Sequence, residues 1–221
     1  DGRYEFPPID VYRLAGRTRV RRPQCQGGTR TLEARDIMKI DGVLVTTPLR
    51  SALDLGRLTR RADAFAALDA LMRVGGFGVP DLVAELPRFR GARGVRQLRQ
   101  LVPLADGRSE SPAESLTRLQ ILDAGLPAPA VQYEVRTALG ILVYRLDLAY
   151  PDLLLAVEYD GREHHTSDDD RAHDRQRREY LRRLGWTFVV LTTDDVYGAD
   201  PQAATIVRRA RERLLAATAA A

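Results

Sequence analysis

The stretch that most constrains the fold runs from residue 141 to residue 193. Two apolar runs, ILVYRLDLAY (141–150) and LLLAVEYDG (153–161), are separated only by Pro151-Asp152. Both are rich in branched and aromatic residues and short enough to be strands. A polar helical stretch follows, DDDRAHDRQRREYLRRLG (168–185), closed by Gly185, and then a third apolar run, WTFVVLTT (186–193). A strand that returns after a helical crossover lies parallel to an earlier strand of its sheet. The segment therefore predicts a mixed sheet rather than an antiparallel meander.

The flanks extend this pattern. VQYEVRTA (131–138) is a further strand, joined to the next by a turn near Gly140. Ser111-Pro112-Ala113-Glu114 opens a helix that runs to about Ala124. Ser caps it, Pro fills its first position, and Glu at the third can complete a capping box. DPQAATIVRRARERLLAA (200–217) is a last helix. The order α-β-β-β-α-β-α specifies an α/β fold, a mixed sheet flanked by helices.

The first half is different. IMKIDGVLVTT (37–47) holds two apolar runs split by Asp41-Gly42, a hairpin signal. TPLRSALDLGR follows as a helix with Thr47 as cap and Pro48 at its first position. ADAFAALDALMRVG predicts a helix ending at Gly75-Gly76, VPDLVAEL a shorter one, and RGARGVRQLRQLV a basic one. Pro, Gly, Asp and Ser cluster in PLADGRSESPAES (103–115), which places a domain boundary near residue 107. A smaller, mostly helical domain with a β-hairpin (1–107) would precede the α/β domain (108–221).

Charge divides along the same line. Of 34 Lys+Arg and 30 Asp+Glu, residues 1–108 hold 20 and 12, a net of +8; residues 109–221 hold 34 − 20 = 14 and 30 − 12 = 18, a net of −4. A basic half suits a polyanion such as nucleic acid, and equally a solvated helix surface. Arg93, Arg96 and Arg99, three apart, would sweep along one side of the basic helix as a phosphate-facing stripe or a solvent face. The only lysine is Lys39, so none lies in the second half. No run of eighteen apolar residues is present, which argues against a membrane-spanning helix. The single cysteine, Cys25, excludes an intrachain disulfide and fits a reducing cytoplasm. The start, DGRYEFPPID, has neither a signal-peptide pattern nor an initiating Met, as expected of a fragment.

Titratable residues gather at the strand ends. Alternation puts Arg145, Asp147 and Ala149 on one face of their strand, with Leu146, Leu148 and Tyr150 on the other. On the next strand Leu154, Ala156, Glu158 and Asp160 share a face. If the two acidic faces coincide, Asp147, Glu158 and Asp160 converge. Adjacent half-buried carboxylates repel, and a hard divalent cation such as Mg²⁺ (or Mn²⁺) relieves that repulsion. The competing expectation is ion pairing with Arg145, Arg162 or Arg171. Glu114 has two expected roles, the capping box or a carboxylate reaching a metal-bound water. His164 and His165 follow directly, and one of them near neutral pH could carry a proton. His173 is expected on the surface.

These residues resemble the restriction-endonuclease-like PD-(D/E)xK superfamily. RLDLAYPDLLLAVEYDGREHH, DRAHDRQRREYLRRLGW and FVVLTTDDV are most similar to an uncharacterised bacterial branch related to very-short-patch mismatch-repair endonucleases. VTTPLRSALDLGR is similar to the antitoxin family of abortive-infection toxin–antitoxin systems. The first resemblance implies a metal-dependent endonuclease acting on DNA, in phage defence or repair. In that reading Asp147 and Glu158 bind Mg²⁺, Glu114 assists a bound water, and His165 moves a proton. Position 160, lysine in the wider superfamily, is Asp160 here. Arg171, Arg175 and Arg178 on the polar helix would neutralise phosphate, or pair with Asp174 or Glu179. The second resemblance implies a toxin partner and the alternative function: a non-catalytic DNA-binding regulator built on a degraded nuclease fold.

Overall fold

The computed structural model describes residues 9–12, 25–137, 139–160 and 168–220, with the side chains of residues 26 and 168–174 left aside. A short parallel pair, β1 (Ile9–Asp10) and β2 (Cys25–Gln26), precedes the expected hairpin of β3 (Ile37–Ile40) and β4 (Val43–Thr46). Its turn has positive φ at both central residues, 49° at Asp41 and 87° at Gly42. That geometry suits the twist of a two-residue hairpin and explains the Asp-Gly pair.

Four helices follow: α1 (Pro48–Leu58), α2 (Arg61–Gly75), α3 (Val79–Glu85) and α4 (Val95–Leu101). The Thr47 hydroxyl caps α1 by accepting from the Arg50 N–H at 3.3 Å. α2 ends at Gly76 in the left-handed conformation. Phe65, Leu68, Leu82, Leu98 and Leu101, all fully buried, form the core of this half.

The charged residues of VTTPLRSALDLGR are largely interior. Arg50 donates to Asp36 at 2.8 Å and to Asp54 at 3.1 Å, and Arg57 donates to Asp54 at 2.7 Å. Arg88, after α3, reaches Asp36 at 2.7 Å. Burial alone would raise the Asp36 carboxyl, but its hydrogen bonds from Arg88 and the Glu33 N–H, with the Arg50 charge, hold it down at about 2. The network ties α1 to the base of the hairpin, and it must be kept whole because a lone buried charge is costly.

The second half contains α5 (Pro112–Asp123), β5 (Ala130–Arg136), β6 (Leu142–Tyr150), β7 (Leu155–Tyr159), α6 (Asp168–Arg183), β8 (Thr187–Leu191), α7 (Thr193–Tyr197) and α8 (Ala203–Ala219). The sheet order is β5-β6-β7-β8; β7 and β8 run parallel through the α6 crossover and the other pairs are antiparallel. This is the mixed α/β sheet flanked by helices that the sequence order specifies. The short α7 is an addition, capped by Thr192. One sheet face packs on α5, α7 and α8 around Leu148, Tyr150, Leu155 and Val157; the other packs on α6 around Ala149, Ala156, Leu181 and Trp186.

Helix α5 belongs to both cores. Leu119 packs with the first half and Ile121 with the sheet. Arg118 forms a buried ion pair with Asp69 of α2 at 2.7 Å, and the Asp106 N–H donates to the same carboxylate at 2.8 Å. The helix that opens the α/β half is therefore fixed in place by the helical half.

Strict alternation fails at one point. Val131 and Leu148 join the α5/α8 face, but Tyr133, Val135 and Leu146 join the α6 face, together with Ala149. Leu146 and Leu148, two residues apart, thus lie in different cores, contrary to the expected sharing of a face. The slip falls between them, at Asp147. Its ladder partner by the flanking register is Gln132, whose φ is 51°. A left-handed residue in one strand bends both strands and re-aims their side chains, as bulges near functional sites do.

Candidate active site

Asp147 stands at this irregularity, half-buried. β6 and β7 pair with Leu148 opposite Val157 and Ala149 opposite Ala156. The ladder ends there, one residue short of Asp147 and Glu158, and the two carboxylates are close enough for their charges to act on each other. Glu158 is buried, 5% exposed. The Asp147 carboxyl is pushed up to about 7, first by burial and then by the negative charges of Glu114 and Glu158. A hydrogen bond from the Tyr159 N–H and the charge of Arg177 oppose this without cancelling it. Unrelieved negative charge of this kind is a mark of functional sites.

Glu114 comes from the first turn of α5 and is 7% exposed. The Ser111 hydroxyl accepts from the Glu114 N–H at 3.2 Å, as a cap should. The Glu114 carboxylate does not close a capping box on Ser111. Its Oε2 accepts from the Glu110 N–H at 2.9 Å and from the Gln132 amide at 2.7 Å. The strained Gln132 therefore clamps a carboxylate that acts electrostatically on Asp147. Glu114 and Glu158 are thus acids, among the described residues, whose charges act on Asp147.

Among the described residues, arginines bond Glu158 and none bonds Asp147. Arg177 of α6 donates to Glu158 Oε1, and Arg178 donates to Oε2 at 3.2 Å. Of the arginines weighed for this role, Arg145 pairs instead with Glu110 at 2.6 Å, while Arg162 and the side chain of Arg171 lie outside the described residues. Arg177 is the functional candidate that sequence reasoning missed. The signal was helical phase, since residues 177, 178 and the buried Leu181 fall on the sheet-facing side of α6. Among the described residues, Arg177 Nε is buried without a hydrogen-bond partner.

For the other nominated residues the structure gives local placements, or they lie outside the described residues. The Asp160 N–H donates to the Leu191 carbonyl at 2.8 Å, extending the β7–β8 ladder. His164 and His165 lie outside the described residues, as does the side chain of His173. Arg175 is exposed on α6. Arg96 and Arg99 are exposed on α4, while Arg93 precedes its cap, Gly94, and offers its carbonyl to Arg57 at 3.2 Å.

Among the described residues no three His, Cys, Asp or Glu side chains form a metal-holding group. The chemistry still fits Mg²⁺, which binds through one or two carboxylates and completes its shell with water and phosphate oxygens. Asp147 supplies a carboxylate that no arginine among the described residues bonds, and Glu158 is the neighbour that Arg177 and Arg178 would release to it.

Residues 129–211 match a restriction-endonuclease-like family model, REase_MTES_1575, and residues 3–104 match the AbiEi antitoxin C-terminal domain. Asp147, Glu158, Asp160, His165 and the α6 arginines fall inside the first match; Glu114 falls outside both. The chain is 38% identical over 160 residues to uncharacterized proteins of Mycobacterium tuberculosis strains CDC 1551 / Oshkosh and ATCC 25618 / H37Rv. The alignment covers 72% of this chain and 59% of each relative, so the chain spans about three fifths of their length. No solved structure matches significantly. No helix among the described residues is long and apolar enough to cross a membrane.

Proposed function

We propose that the chain is a divalent-cation-dependent nuclease that hydrolyses DNA phosphodiester bonds. The observation that carries this reading is the Asp147 carboxyl, raised to about 7 beside Glu158 and Glu114 within a segment that matches a restriction-endonuclease-like model. Asp147 and Glu158 would hold Mg²⁺ or Mn²⁺. When bound, the cation supplies charge to a phosphoryl oxygen and lowers the pKa of an attacking water. Glu114, fixed by Gln132 and the Glu110 N–H, orients that water. His165 carries the proton, as in the very-short-patch-related branch that the sequence resembles. Arg177 and Arg178 exchange Glu158 for the substrate phosphate, and Arg171 and Arg175 add positive charge along the same helix. Residues 108–221 would carry this chemistry. Residues 1–107 would contact DNA through Arg93, Arg96 and Arg99 and, as an antitoxin-like unit, a toxin partner.

The test is incubation of the parent and Asp147→Ala with supercoiled, linear and mismatched DNA, and with RNA, plus Mg²⁺ or Mn²⁺. Nicking by the parent and none by the variant is expected. Equal activity in both would refute the site.

A second reading has its own support: both Glu158 oxygens are held by arginines and no lysine lies in residues 109–221. In that case the fold is a scaffold for a non-catalytic DNA-binding regulator of antitoxin type. Tight binding to a promoter fragment, with no heat of cation binding, would select it.

A further inference from the structure

We propose that a cavity beside the acidic site holds one unpaired nucleobase of the substrate, a reading that deepens the nuclease assignment and rests on it. The cavity runs along α6, measures ≈ 420 Å³, and is lined among the described residues by Tyr144, Gln176, Glu179, Tyr180 and Arg183. That volume lies within the range of small-molecule sites, about 300–1,000 Å³.

The lining has the chemistry of base recognition. Tyr144 of β6 and Tyr180 of α6 have ring centroids 6.0 Å apart with planes tilted by 54°. Tyr180 is 40% exposed, a large aromatic surface left to solvent between the arginines of the C-terminal half of α6. A planar ring can stack on either face, and stacking tolerates any base because every base has a π-face. Polar edges are met as well. Gln176 offers both a donor and an acceptor, and Glu179 offers an acceptor. Glu179 pairs with Arg183 at 2.6 Å, but both side chains are exposed, so the pair is readily exchanged for a ligand.

Arg177 joins the cavity to the acids. Its guanidinium lies 5.7 Å from the Tyr144 ring centroid and donates to Glu158. A base seated against the tyrosines therefore brings its own phosphates to the arginines that now occupy Glu158. An apolar peptide or a lipid would use the tyrosines but leave the arginines and the amide unmatched. A paired base cannot reach the rings without leaving its stack. The ligand is thus an unpaired nucleotide: a single strand, a mismatch or an unpaired loop. Deoxyribose and ribose share this chemistry.

The test uses fluorescence anisotropy of the full chain in EDTA, with labelled oligonucleotides of four kinds: single-stranded DNA, single-stranded RNA, perfect duplex DNA, and duplex DNA with one unpaired base. Loss of one base stack, about 1–3 kcal/mol, corresponds to roughly 5- to 150-fold weaker binding. Tyr180→Ala and Tyr144→Ala should lose about that much on the ligands with unpaired bases and little on the perfect duplex. Tyr180→Phe and Tyr144→Phe should bind as the parent does. The DNA and RNA arms identify the sugar. Alanine variants that bind unpaired bases like the parent, or that lose equally on perfect duplex, would overturn the proposal. Cleavage dependent on Asp147 with unaltered tyrosine variants would sink the cavity and leave the nuclease standing. The tyrosine pattern without cleavage would do the reverse.

Discussion

Asp147→Asn should make the cation-free protein more stable, and only where Asp147 is ionised in the unfolded chain. Moving a carboxyl from 3.8 to about 7 corresponds to about 4 kcal/mol, at about 1.4 kcal/mol per tenfold change. The sign follows from proton counting. Below pH 4 both folded and unfolded chains hold the proton and the group is neutral in its effect. Between 4 and 7 the unfolded chain loses the proton while the folded chain keeps it, so stability falls as pH rises. Above 7 the loss is complete. Asparagine removes the charge and keeps an oxygen to accept the Tyr159 N–H. The variant should gain about 4 kcal/mol at pH 8, as a ceiling, and about half of that at pH 5. With a urea slope of about 2–3 kcal/mol per molar for a chain of this size, the midpoint should rise by roughly 1.5–2 M at pH 8. Urea titrations of both proteins at the two pH values read this directly. A gain independent of pH, or a loss at pH 8, would show that Asp147 is not held among repelling carboxylates.

Three further outcomes follow from the same geometry. Glu114→Gln keeps an acceptor for Gln132 and the Glu110 N–H, so it should fold like the parent while lowering the Asp147 pKa, seen as a weaker fall in stability between pH 4 and 7. Arg177→Ala strips a partner from buried Glu158 and should cost about 2–4 kcal/mol without divalent ions, with Mg²⁺ restoring more stability in the variant than in the parent by thermal melting. Asp69→Ala leaves Arg118 buried and unpaired and should cost about 3–5 kcal/mol. Because α5 sits in both cores, that variant should still melt in one transition; two separated transitions would mean that residues 1–107 and 108–221 fold independently.

Much of the fold is legible because its signals are local. Asp41-Gly42 dictates the hairpin turn, Ser111-Pro112 the start of α5, and the polar stretch between apolar runs the parallel β7–β8 pair. That Asp147 and Glu158 come near enough to interact is likewise legible, since they lie on consecutive strands. What stays hidden depends on distant partners. The face slip at Asp147 needs a left-handed Gln132 on another strand, and alternation within β6 contains no trace of it. Arg50, Asp54, Asp69 and Arg118 look like solvated helix charges, yet each is buried because its counter-charge arrives from a separate element. Among the arginines of α6, only the helix's rotation against the sheet selects Arg177 and Arg178 for Glu158.

The central claim is that Asp147 carries negative charge which a cation would relieve. Calorimetric titration of Mn²⁺ or Mg²⁺ into the protein at pH 7, in two buffers of different ionisation enthalpy, tests it most directly. One ion should bind with release of roughly half a proton, as expected of a carboxyl near half-titration, and Asp147→Ala should show neither signal. Binding without proton release, or equal binding by the variant, would contradict the account.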